Sequence, residues 1–131
     1  MGINSIISPD DLLKTEGIPP GWYPAEIIKY EEAETKGTAD KPSDGSMNAI
    51  FLFKLLDGPG KGREFKRYFN EKSMHWGKNL WVTLFPTAFD KKKGGNLNSE
   101  MFKATEGTKL KVYVKKDKAG KFDEISDYMP L

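Results

Sequence analysis

The residues best equipped for chemistry in this chain are cations and aromatic rings set at strand spacing. In residues 109–115, Lys109, Lys111, Tyr113 and Lys115 alternate strictly with Leu110, Val112 and Val114. Successive side chains of a strand point to opposite faces, so this segment would bury three aliphatic groups and present three ammonium groups and a phenol on the other side. Residues 63–69 mix Arg63, Lys66, Arg67 and Tyr68 with Phe65 and Phe69, the two phenylalanines being expected in the core. Cations that track phosphates and flat rings that stack on bases are what single-stranded nucleic acid requires, each stack contributing about 1–3 kcal/mol. Lys29, Tyr30, Lys36 and Lys54 complete the candidate binding set.

Other chemistries find less support. The run Gly58-Pro59-Gly60-Lys61-Gly62-Arg63 resembles a phosphate loop in its glycines, yet that loop needs a Lys-Ser/Thr pair opening a helix, and here a strand is expected to follow. A hairpin turn is the ordinary reading. His75 is the sole histidine and there is no cysteine, so no zinc site, disulfide or thiol chemistry is expected. The pairs Asp10-Asp11 and Glu31-Glu32 fall where capping or solvation explains them. No catalytic constellation, metal or cofactor is therefore expected.

Charge is distributed unevenly. The formal net charge is +2, but residues 61–121 carry 16 Lys or Arg against 6 Asp or Glu, and the rest of the chain is correspondingly acidic. Clustered cations suit a polyanion, because they displace counterions condensed on phosphates. Residues 1–15 hold Asp10 and Asp11 with one lysine, unlike the cationic start and apolar run of a signal peptide, and no stretch reaches membrane-spanning length. The expected location is the cytoplasm.

These groups must be positioned by a scaffold, and 131 residues suffice for one core. Ser8-Pro9-Asp10-Asp11 reads as the start of a short N-terminal helix ended by Gly17, within an appendage over residues 1–20. A first strand is expected over residues 22–30, with Tyr23, Ala25 and Ile27 on one face. The polar residues 31–46 read as a long loop, mobile until it closes over a ligand. Residues 47–56 and 63–69 form a strand hairpin across the glycine-rich turn. Residues 73–85 read as a helix capped by Ser73 and stopped by Pro86, with Trp76 and Trp81 packed on the core, and a shorter helix is expected over 99–105. Strands over 109–115 and 122–128 follow, the last alternating through Phe122, Ser126 and Tyr128. The expected fold is thus mainly β: a five-stranded Greek-key OB-fold barrel over residues 21–131, with a helical region between the third and fourth strands.

Three segments carry a family resemblance. Gly21-Trp22-Tyr23-Pro24-Ala25-Glu26-Ile27, then Phe53-Lys54-Leu55-Leu56-Asp57-Gly58-Pro59 with Gly62-Arg63, then residues 106–114, Glu-Gly-Thr-Lys-Leu-Lys-Val-Tyr-Val, resemble bacteriophage-type single-stranded DNA-binding proteins. The resemblance implies an OB-fold, no catalysis, single-stranded DNA as partner, and a role in phage replication, recombination or repair within the host cell cytoplasm. It also implies contact with replication or recombination proteins and self-association. The C-terminal residues 122–131 are faintly similar to the acidic tip by which such proteins recruit partners, although they read first as the last strand. Two other classes fit the same scaffold: a protein-interaction module, and an OB domain for RNA or oligosaccharide.

Overall fold

The computed structural model describes residues 2–8, 17–37, 40 and 42–131. Five strands, β1 (Gly21–Glu34), β2 (Met47–Leu55), β3 (Glu64–Asn70), β4 (Lys109–Lys116) and β5 (Asp123–Pro130), form one sheet in the order β3-β2-β1-β4-β5, every neighbouring pair antiparallel. A 3-10 segment (Glu71–Gly77) and helix α1 (Lys78–Leu84), then α2 (Ser99–Lys103), occur in the chain between β3 and β4. The expected N-terminal helix falls largely on residues 9–16, outside the described residues.

The sheet curls into a half-barrel consistent with an OB-like barrel. Its end strands, β3 and β5, meet through side chains, Arg67 Nε donating to the Tyr128 hydroxyl at 3.2 Å; the Tyr128 ring also lies 5.7 Å from that of Phe53 on β2. The curl follows from apolar alternation. Ala25, Ile27, Phe51, Phe53, Leu110, Val112 and Val114 all point inward and are essentially inaccessible. Helical elements cover this core through Trp81, whose ring lies 5.0 Å from both Phe69 and Phe102.

Two bulges reset the alternation. β1 pairs with β2 in one register through Ile27↔Phe53, then slips between Ile27 and Lys29. The extra residue turns Tyr30 inward, where without it the side chain would face out with Trp22 and Glu26. Glu106 accepts the Tyr30 N–H at 2.9 Å, satisfying the amide. In β4–β5 the register shifts between Tyr113 and Val114, so Ile125 and Tyr128 are both buried, whereas Phe122 precedes the strand and is exposed.

Other boundaries also moved. Residues 31–34, expected as loop, continue β1 against the start of β2. Beyond them Thr35 N–H donates to the Ser46 carbonyl at 2.9 Å, and Asn70 Nδ2 donates to Thr35 Oγ1, Ser46 Oγ and Asn48 Oδ1, clamping both ends of the connection. The expected single helix over 73–85 is two pieces, capped by Asn70 rather than Ser73. Three residues per turn in the first piece place Trp76 outside, 79% exposed, rather than on the core. Gly77 permits the break: a Cβ there would lie 2.6 Å from the Trp81 ring. In the β2–β3 turn Gly60 has φ +84°, and a Cβ would meet Ile18 at 2.7 Å. Ile18, in the segment expected as an appendage, is itself buried in the core.

Candidate nucleic-acid interface

The outward positions of the sheet form cross-strand rows. One row, Glu64–Lys54–Glu26–Lys109, alternates in sign across four strands, so Lys54 stands between two carboxylates in register. On one side of it lie Lys66–Leu52–Lys29 and then Tyr68–Ile50–Glu31. On the other lie Pro24–Lys111–Met129 and then Trp22–Tyr113. The candidate residues thus separate into two zones of one face.

The first zone contains a groove of about 520 Å³ floored by Ile50 and Asn48 and bordered by Lys66, Tyr68 and Lys36. Tyr68 is 58% exposed, and Lys29, Lys36 and Lys66 are exposed. Glu31 and Glu34 also border the groove, Glu31 lying 3.5 Å from Lys29. Its charge is therefore mixed, and its distinguishing feature is the phenol ring beside open ammonium groups.

In the second zone Tyr113 and Trp22 oppose each other, ring centroids 5.3 Å apart and nearly perpendicular. Trp22 is 42% exposed. Lys111 lies on the same face, half-buried, and Lys115 is exposed opposite Glu124. Outward placement of Lys109, Lys111, Tyr113 and Lys115, and burial of Leu110, Val112 and Val114, follow the strict alternation of the sequence.

Three candidates are corrected. Tyr30 is a core residue, 5% exposed, whose hydroxyl donates to Glu32 at 2.6 Å. Burial, reinforced by that carboxylate, pushes its phenol well above the ordinary range. Arg63 donates to Asp123, which also pairs with Lys116 at 3.0 Å and accepts the Ile18 N–H at 3.1 Å. Burial pushes the Asp123 carboxyl up, but its cationic and N–H partners outweigh this and hold it below its ordinary value. Arg67 extends over the Phe69 ring toward Tyr128. Both arginines therefore brace β3 against β5 rather than reaching outward to a ligand.

Trp22 and Phe122 were missed as surface groups. Trp22 occupies the outward phase of β1, legible from the inward Tyr23, Ala25 and Ile27. Phe122, 69% exposed beside Lys121, sits at the end of the β4–β5 turn, where Asp117 N–H donates to its carbonyl at 2.8 Å. Among the described residues no group of His, Cys, Asp and Glu could hold a metal ion, and no helix is long and apolar enough to cross a membrane. No protein-family model and no curated protein sequence matches the chain.

Proposed function

We propose that this chain is a non-enzymatic five-stranded Greek-key OB protein that binds single-stranded nucleic acid, DNA in particular, with little sequence preference. The carrying observation is Tyr68, a largely exposed ring on β3 beside Lys66 and Lys36 over an open groove. The outer face of β2 and β3 is where OB domains commonly hold oligonucleotides, and a ring flanked by ammonium groups supplies stacking and phosphate attraction together. The strand order, with β1 between β2 and β4, supports the barrel assignment. Trp22 and Tyr113 add a second aromatic platform on the same face.

On this reading the protein coats or protects single strands during replication, recombination or repair, in a cytoplasm, with replication or recombination proteins as further partners. The test is a fluorescence-anisotropy titration with single-stranded DNA, RNA of equal length and duplex DNA. Tightest binding to single-stranded DNA, weakened about fivefold or more by Tyr68→Ala, supports the reading. Equal affinity for duplex, or a Tyr68→Ala variant that binds as well as the wild type, overturns it.

A further inference from the structure

The densest cluster of cations in the chain lies away from the outer sheet face. Asp90 and Gly94 close a short turn by mutual backbone hydrogen bonds of 3.0 and 2.7 Å, and Lys91, Lys92 and Lys93 fill it. The one carboxylate of the turn is turned inward: Asp90 Oδ1 accepts the N–H groups of Lys92 and Lys93 at 2.8 and 2.9 Å. All three lysine side chains are exposed. Between this turn and the 3-10 segment runs a cleft of about 580 Å³, with His75 and Lys78 on its opposite wall. Next to it, Trp76 lies 5.2 Å from the His75 ring, their planes 35° apart.

We infer that this cleft is a second binding surface for the phosphodiester backbone of single-stranded nucleic acid, with Trp76 as its stacking ring. The occupant follows from complementarity. Four ammonium groups converge on one open cleft, and such a surface suits a flexible chain of phosphates better than a single small anion. The Trp76 indole, 79% exposed and packed on the His75 ring that lines the cleft, keeps most of its surface open and suits an unstacked base. The nature of the ligand rests on the function proposed above; the location of the cleft does not.

The test compares a Lys91→Ala, Lys92→Ala, Lys93→Ala triple variant, a Trp76→Ala variant and Tyr68→Ala, titrated with a single-stranded DNA 30-mer at several salt concentrations. The turn is held by backbone groups and Asp90, so the triple variant should keep its melting temperature. Its slope of log affinity against log salt should fall by about 2, near 0.7 per lost phosphate contact. Trp76→Ala should weaken binding roughly tenfold with the slope retained, and arginine at all three positions should restore the slope. A triple variant with the wild-type slope and affinity overturns this inference and leaves the proposed function standing. A wild-type protein that binds no oligonucleotide overturns both. Loss in the cleft variants with none in Tyr68→Ala upholds the cleft and moves the principal site to it.

Discussion

Trp22 and Tyr113 face each other across the β1–β4 pair, in register, with ring centroids 5.3 Å apart and planes at 72°. An edge-to-face pair is worth about 0.5–1.5 kcal/mol beyond its buried area, and it leaves ring surface open to a ligand. The pair joins a modest structural contribution to exposed aromatic surface, Trp22 being 42% exposed.

Stability and binding should accordingly separate along β4. Tyr113→Ala should cost about 1 kcal/mol of stability through the lost ring contact, yet weaken single-stranded DNA binding by about 1–3 kcal/mol. Val112→Ala, one residue away and fully buried, should destabilise the fold by roughly 1–3 kcal/mol while the folded protein binds normally. Melting curves and anisotropy titrations of the two variants check the assignment.

Binding should weaken steeply with salt. Lys66 is exposed at the groove beside Tyr68, so Lys66→Ala should lower the slope of log affinity against log salt by about 0.7. Arg67→Ala should behave differently, because that side chain is committed to Tyr128 and Phe69. Its effect belongs in stability, with a salt slope close to that of the wild type.

Gly77→Ala should destabilise by about 1–3 kcal/mol although alanine has the better helix propensity. The added methyl would sit 2.6 Å from Trp81, whose indole N–H donates to the Met74 carbonyl at 2.7 Å and cannot retreat without losing that bond. Chemical denaturation measures the change, and a neutral or stabilised variant would show that Trp81 is free to shift.

Acid should unfasten the junction around Asp123. Its side chain is only 2% exposed, and its carboxyl is held below the ordinary 3.8. A depressed pKa in the folded state contributes stability that is complete above the unfolded value and lost as pH falls through the folded one. Wild-type stability should therefore fall below about pH 4 by more than that of Asp123→Asn, which should start lower and vary less over this interval. Parallel unfolding titrations from pH 7 to pH 2 would detect it, and identical pH profiles would rule it out.

The inward face of the sheet was legible because apolar alternation states it directly. Leu110, Val112 and Val114 have a single consistent phase, and so do Ala49, Phe51, Phe53 and Leu55. Tyr30 was misread because a one-residue bulge at Ile28 leaves no mark in the pattern of residue types, yet it exchanges the two faces for everything downstream. Trp76 and Trp81 both fit helical spacing. Only the 3-10 geometry before Gly77, a glycine that closely approaches Trp81, separates the buried ring from the exposed one. The arginines looked like ligand contacts because nothing local reveals that Asp123 and Tyr128, some 60 residues away in the chain, meet them across the curled sheet.

The meeting of β3 with β5 through Arg67–Tyr128 and Arg63–Asp123 means that the curled sheet is buttoned rather than stitched. Central β1 is held by ladders on both sides, whereas each end strand has a ladder on one side and side-chain fastenings on the other. Local opening should therefore cost least at these two margins, and amide hydrogens should exchange in a gradient that is slowest in β1 and quickest along the outer edges of β3 and β5. Such a seam can yield without global unfolding, giving the half-barrel a way to adjust its curvature to whatever lies across its outer face.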